Sequence, residues 1–363
     1  MPNPEHIYFN AFCQIGQIGS VRFRKILNHF DSMEAAWRAP VSQLREAGLE
    51  EPILNLILDA RTRFDPENEF AELIKQEIKI LTIKDGGFPK LLKEIPNPPV
   101  VLYMRGDLSP RDEMAIAVVG TRNMTTYGRQ VTEDIVRDLV RANLTVVSGL
   151  ALGVDSVAHK TTTEFNGRTI AVLGSGVDNI YPASNRVIAE KILTGNGAVI
   201  SELPPGSPPL KHHFPNRNRI ISGLTLGTLV IEAAEDSGAL ITAQHALEQN
   251  RQVFAVPGSI MSPVSVGPNN LLKMGAKPVT SARDILEELN LESLQEQLVA
   301  EDLVGDNKEE EKILALLNRV PKHFDLIANT SGLPASLVAS TLTIMEMKGK
   351  VRNLGGNQYV KSR

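Results

Sequence analysis

Ala115-Ile116-Ala117-Val118-Val119-Gly120-Thr121-Arg122-Asn123 sets the fold class of this chain. Five apolar residues without polar alternation suit a strand buried on both faces, the kind found inside parallel sheets. Gly120 then allows a tight turn, and apolar residues spaced for a helix follow over Tyr127–Ala142. Strand, glycine turn and helix form one α/β unit. Working outward, the same alternation predicts strands at Ile78–Ile83, Val100–Met104, Thr145–Ser148, Thr169–Leu173, Val199–Ser201, Thr228–Glu232 and Val253–Val256. Helices are expected at Gly153–Phe165, Ser184–Leu193, Gly238–Gln249 and Ala282–Leu289. This pattern is that of an extended Rossmann-like, mostly parallel sheet with helices on its faces, over residues 76–290.

Two further blocks flank it. Residues 1–75 read as a helical domain of SAM or helix-hairpin-helix type, with Ile15-Gly16-Gln17-Ile18-Gly19 as its glycine turn. Basic residues do not concentrate on that turn, so packing is its expected role. Residues 291–308 are charged and read as a linker. Residues 309–363 give three helices, with Pro334 in the first turn of the last, then a Gly355-Gly356-Asn357 hairpin turn. That order is a winged helix, a module that binds duplex DNA in some proteins and other proteins elsewhere.

Composition narrows the function classes. The 363 residues hold 38 basic and 42 acidic side chains, a net charge of -4, so any anionic ligand must be met by a local patch. Cys13 is the only cysteine, which excludes an internal disulfide and a cysteine-based zinc site. It is expected to be a small core residue. The first residues carry no basic, apolar signal pattern, and no run approaches the roughly 18 apolar residues of a membrane span. A cytoplasmic location, with no membrane partner, is the expectation.

Ligands of an open α/β sheet bind beyond the carboxyl ends of its strands, where helix N-termini attract anions. Four turns fall there. Gly120-Thr121-Arg122 offers a close backbone approach, a hydroxyl and a guanidinium fork, and no acid lies between Met114 and Thr132. Ser148-Gly149 opens the second, followed by His159 and Lys160. The third, Gly174-Ser175-Gly176, ends at Tyr181-Pro182; Asn179 replaces the last glycine of a dinucleotide fingerprint, so NAD binding is a weak reading. The fourth runs from Lys211 through His212, His213, Phe214, Arg217 and Asn218 to Arg219, with no acid between Glu202 and Glu232. Cations beside an aromatic ring suit unpaired nucleic acid, the ring stacking on a base while cations follow phosphate. Adjacent histidines point apart, so a metal pair is not expected. No phosphate loop, metalloprotease helix or nucleophile elbow occurs, and Glu232 is expected to brace the rim through Ser237 or Thr242 rather than act as an acid. No catalytic residue, cofactor or metal is assigned.

The chain resembles the DNA-processing protein A (DprA/Smf) family. The resemblance rests on Gly87-Phe88-Pro89-Lys90-Leu91-Leu92, Pro98-Pro99-Val100-Val101-Leu102-Tyr103, Val118-Val119-Gly120-Thr121-Arg122 and Ser148-Gly149-Leu150-Ala151 with Gly153-Val154-Asp155. It continues through Phe214-Pro215-Asn216-Arg217-Asn218-Arg219-Ile220-Ile221, Glu232-Ala233, Ser237-Gly238, Arg251 to Gly258, and Gly275-Ala276. It implies single-stranded DNA binding without chemistry, a homodimer through the Rossmann-like domain, and loading of a RecA-type recombinase on incoming strands in natural transformation. The family's Gly-Ser-Arg pocket falls on Gly120, Thr121 and Arg122, and its second DNA motif on Lys211, Phe214, Arg217 and Arg219. Thr121 stands for the usual serine, and Leu152 stands where many relatives carry arginine.

Two other readings compete. Leu226-Gly227-Thr228-Leu229-Val230-Ile231-Glu232 echoes the loop of a nucleotide phosphoribohydrolase, without its Pro-Gly-Gly part. Lys348, Lys350, Arg352, Lys361 and Arg363 would make the winged helix a basic regulator of duplex DNA.

Overall fold

The computed structural model describes residues 3–195, 197–291, 306–318 and 320–361. Two compact units emerge, Met1–Leu291 and Glu292–Arg363. Most of the expected linker lies outside the described residues.

The first unit is built on a nine-stranded sheet of order β1-β2-β6-β5-β4-β3-β7-β8-β9. Its strands are β1 Lys79–Thr82, β2 Val101–Gly106, β3 Ala115–Val119, β4 Thr145–Ser148 and β5 Thr169–Val172. β6 Ala198–Ser201, β7 Gly227–Val230, β8 Gln252–Ala255 and β9 Lys277–Pro278 complete it. From β6 to β9 every pairing is parallel. The outer pair departs from that rule: β1 and β2 form an antiparallel hairpin, and β2 runs antiparallel to β6. β9, two residues long and exposed, was invisible to periodicity.

β3 shows why its sequence lacks polar alternation. Ala115, Ala117 and Val119 enter one core with Ile220, Ile221, Ala239 and Ala243, from helices His213–Gly223 and Gly238–Glu248. Ile116 and Val118 are equally buried and point to the opposite face. There Leu150, Ala171, Leu173, Ala189 and Ile192 form a separate cluster under helix Arg186–Thr194. After β3 the chain winds outward through β4 to β6, then returns to the other side of β3 for β7. The carboxyl ends of β3 and β7 are therefore the topological switch point.

Helices Pro4–Cys13, Ser20–His29, Met33–Arg38, Val41–Glu46, Glu51–Arg63 and Pro66–Lys75 form the helical layer. Its core, including Phe9, Phe12, Phe23 and Trp37, runs on into Ile78, Ile80, Val100, Val101 and Tyr103 of the sheet edge. The Tyr103 hydroxyl donates to Asn10 Oδ1 at 2.8 Å inside that core. Helical layer and sheet thus share one apolar interior. Burial pushes the Cys13 thiol up to about 12, which removes it as a nucleophile.

The second unit has helices Lys308–Leu316, Phe324–Ser331 and Ala335–Met347 and a sheet of β10 Lys322–His323, β11 Val351–Asn353 and β12 Gln358–Lys361. Ile313, Ile327, Val338, Leu342 and Met345 fill its core. The expected basic surface is reduced here. Lys348 Nζ binds Asp306 and Glu310 at 2.7 Å each, and Lys350 Nζ binds the same carboxylates at 2.5 and 2.6 Å. Arg352 remains exposed; Arg363 lies outside the described residues. Among the described residues no helix is long and apolar enough to cross a membrane.

The two lysines, with the Asp306 N–H on Glu310, hold both carboxyls at about 2, below their ordinary 3.8 and 4.5. Depressed carboxyl values stabilise the fold above the unfolded range and lose that contribution as pH falls through it. Hydrogen exchange of peptides from residues 308–361, corrected for intrinsic rate, should show protection falling as pH drops from about 4.5 toward 2. Glu310→Gln should show a weaker fall, and an identical profile would contradict the assigned pairing.

Candidate nucleic-acid interface

The loop after β3 is pinned at the switch point. Thr121 N–H donates to the Glu232 carbonyl at 2.6 Å, and Val154 N–H donates to the Thr121 carbonyl at 3.2 Å. A Cβ on Gly120 would lie 2.5 Å from Val154 Cγ2 and 2.9 Å from the Glu232 carbonyl, so only glycine fits between the end of β7 and helix Val154–Glu164. Thr121 stays partly accessible, its Oγ1 accepting from Asn123 N–H at 3.2 Å. Arg122 projects into solvent.

Glu232 braces this rim through partners other than those expected. Its carboxylate accepts from Thr125 N–H at 2.8 Å and from Thr125 Oγ1 at 2.6 Å, not from Ser237 or Thr242. Gly128 makes room, since a Cβ there would stand 2.2 Å from Glu232 Oε2. Sequence proximity pointed forward along the chain, whereas the parallel pairing of β3 with β7 brings Thr125 across.

Beneath the rim lies a buried cation. Arg217 is only 5% exposed, with Nη1 donating to the carbonyls of Gly149, at 2.7 Å, and Val172. Buried Asp155 faces its charge and accepts from Gly149 N–H at 3.1 Å. Burial, partly offset by Asp155, lowers Arg217 to about 10, and the positive field of Arg122 adds to that lowering. Arg217 therefore keeps its charge at neutral pH, facing Asp155 beneath the exposed Arg122. Burial and the same Arg217 charge hold His159 near 3, leaving a neutral ring whose Nδ1 meets Thr169 Oγ1 at 2.7 Å. Ser148 is likewise internal: its Oγ donates to the Val118 carbonyl at 2.6 Å.

The fourth turn is a helix, His213–Gly223, and helical periodicity divides its residues. Lys211, just before it, is exposed and makes no ion pair among the described residues. Phe214 is half-buried on Gly174, where a Cβ would stand 2.9 Å from its ring. The Arg122 guanidinium lies 5.8 Å from the Phe214 ring centroid, and the Tyr181 ring lies 5.8 Å from it on a tilt of 45°. Three residues expected to face a ligand are held by the protein itself. Arg217 is the buried brace, Asn218 donates to the Gly238 carbonyl at 3.1 Å, and Arg219 pairs with Glu202 at 12% side-chain exposure. Run length concealed this, because one turn of helix sends alternate parts of a basic stretch to opposite sides.

The geometry joins Gly120, Thr121, Arg122, Phe214 and Tyr181 into one outward ledge; Lys211 lies exposed two residues before the helix that carries Phe214. Ser148, Gly149 and Arg217 form the floor of the ledge. Tyr181, 47% exposed, was missed as a site residue because a single uncharged tyrosine gives no pattern. Leu152 is also 47% exposed on the neighbouring loop.

Fold and site together define a Rossmann-type protein with an anion-receptive, ring-bearing rim and an appended winged helix. The description "DNA recombination-mediator protein A" matches residues 79–290, and the DprA winged helix domain matches residues 297–357. Protein Smf of Synechocystis is 35% identical over 99% of each chain. DNA processing protein DprA of Bacillus subtilis is 44% identical over 61% of this chain and 74% of its own length. DNA processing protein A of Streptococcus pneumoniae superposes with TM-score 0.67 at 34% identity, covering 78% of this chain and 97% of that one. That of Helicobacter pylori, described for a unique single-stranded DNA binding mode, gives TM-score 0.53 at 28% identity over 60% of this chain and 97% of its own. This chain belongs to the DNA recombination-mediator protein A (DprA/Smf) family.

Removing Arg217 would strand Asp155 in the interior. Arg217→Met should lower unfolding free energy in urea by about 3–5 kcal/mol, the range for breaking a buried pair from one side. Adding Asp155→Asn should recover part of the loss. A single variant as stable as the parent would show that the brace is dispensable.

Proposed function

We propose that the ledge binds single-stranded DNA, makes and breaks no bond, and presents the strand to a RecA-type recombinase. The carrying observation is the exposed Arg122 guanidinium set over Phe214, with Tyr181 beside it. Unpaired bases offer faces that stack on both rings, a contact worth about 1–3 kcal/mol per base. Arg122, Lys211 and the uncapped N-terminus of helix His213–Gly223, which has no acid in its first turn, meet the phosphates. Gly120 and Thr121 allow close backbone approach, while Ser148, Gly149 and Arg217 act from below by shaping the loops. Asn218 and Arg219 position the helix rather than touch DNA.

Family membership supports the mediator role, and the single-stranded DNA binding described for the Helicobacter pylori relative supports the ligand. The proposal extends to natural transformation in the cytoplasm and to a homodimer through the sheet-bearing unit. Ile260, Met261 and Met274, each at least 80% exposed, supply apolar surface for such contacts.

The competing readings lose ground on specific placements. Gly227 and Thr228 are buried inside β7 and form no phosphate-binding loop, while both Glu232 oxygens are engaged by Thr125. In the winged helix, Ala335–Met347 holds the recognition position yet carries no lysine or arginine. A duplex reader would place cations and amides there.

Arg122→Ala and Lys211→Ala should each weaken binding to oligo-dT and reduce the salt slope by about 0.7, the value per single-strand phosphate contact. Tyr181→Ala should weaken binding to oligo-dT but not to an abasic strand of equal length, and Tyr181→Phe should restore it. A folded Arg122→Ala/Lys211→Ala double variant with unchanged titrations would remove the ledge as the site.

A further inference from the structure

A cleft of about 1200 Å³ opens between helix His213–Gly223 and the helical layer. One wall is the glycine turn, Gly16 to Gly19, with Ser20, Arg22 and Lys25 of the following helix. The other contains His212, Asn216, Arg219 and Gln249. Resting on the ledge reading above, we propose that bound single-stranded DNA continues across the N-terminus of helix His213–Gly223 into this cleft, making it a second segment of the strand's path.

Continuity comes from the helix itself. Phe214 and Asn216 are two residues apart, about 200° around an α-helix. Phe214 faces the ledge and Asn216 faces the cleft, so the helix N-terminus is the ridge between them. A strand leaving Phe214 over that ridge reaches His212 and Asn216, then the glycine turn.

The far wall has the charge to receive it. Helix Ser20–His29 carries Arg22, Arg24 and Lys25, has no acid in its first turn and begins at Gly19 without a side-chain cap. Glu50 binds Arg22 at 3.0 Å and Lys25 at 3.1 Å, so the two cations that line this wall, less one carboxylate, leave a net charge of +1. Arg22 uses Nε on Glu50 and Nη1 on the Gln17 carbonyl, which leaves Nη2 uncommitted among the described residues. Glu50, held at about 2 by Arg22 first and by its hydrogen bonds, stays ionised and fixes both cations in place.

Two buried groups on the Rossmann wall point to bases as well as phosphates. Arg219 Nη1, a donor, and Gln249 Oε1, an acceptor, have no hydrogen-bond partner, and Gln249 is only 7% exposed. Buried polar atoms are rarely left so, and each calls for a partner. A base edge presents acceptors and donors together and answers both needs; a simple anion answers only the first.

The test compares short and long strands on the full-length protein. Oligo-dT of about 5 nucleotides fills the ledge, and oligo-dT of about 16 reaches the cleft. Arg22→Ala/Lys25→Ala should bind the short strand as the parent does. It should lose about tenfold on the long strand, with a salt slope smaller by about 1.4 from two lost phosphate contacts. In the parent protein, 4-thiothymidine placed toward one end of the long strand should photo-crosslink to the peptide holding residues 14–25. Equal binding of the long strand by the double variant, or crosslinks confined to the ledge, would overturn the cleft path. Failure of the parent to bind the short strand, with Arg122→Ala harmless on the long one, would instead overturn the ledge reading.

Discussion

A single buried guanidinium holds the rim of this sheet together. Arg217 leaves helix His213–Gly223 and ties its charge to the carbonyl of Gly149 after β4 and to that of Val172 at the end of β5. Asp155, from the helix after β4, balances it and fastens the same loop from the other side. Three chain segments far apart in sequence are thereby locked at one point. A Cβ on Gly149 would meet the Arg217 guanidinium at 2.6 Å, so the loop's glycine is required by the brace as much as by the turn. Two buried opposite charges that face each other without a direct contact are a poor source of net stability. Their value here is positional: they fix where Phe214 stands, three residues earlier on the same helix.

Cations therefore divide into two kinds. Arg122 and Lys211 are exposed and solvated, free to exchange water for phosphate at low cost. Arg217 and Arg219 are held internally, by carbonyls and by Glu202, although one Arg219 nitrogen, Nη1, has no partner. The internal pair still matters to an anion above it. Arg217 keeps its proton despite burial, and its charge adds to the burial that holds His159 neutral.

How far the sequence carried this depended on whether the signal was local. The buried run Ala115–Val119, the glycines after β3 and β4, and the helix periods each report on a few neighbouring residues, and the parallel core followed from them. Fold class and family were readable that way. The antiparallel turn of β1 and β2 against β6 was not, because strand direction is set by tertiary pairing. The same limit explains the partners of Glu232 and the inward turn of Arg219, both decided by residues distant in sequence. Lys348 and Lys350 looked free because Asp306 and Glu310 lie some forty positions earlier. Tyr181 escaped for the opposite reason: a lone ring is too little pattern to weigh.

On the proposed reading, the arrangement also gives a reason why the ledge would hold a strand without cutting it. Catalysis requires groups that bind a transition state better than the ground state. At this rim the polar groups are already committed. Glu232 spends both oxygens on Thr125, Asp155 is turned to Gly149 and Arg217, and His159 is a buried neutral ring. What faces outward, two rings and fixed cations, meets every nucleotide of a strand in much the same way. Contacts that repeat along a polymer give affinity and let the polymer shift register, which suits the proposed hand-over of the strand. A rim of this kind grips through many weak, interchangeable contacts, and release needs only that a partner compete for them a few at a time.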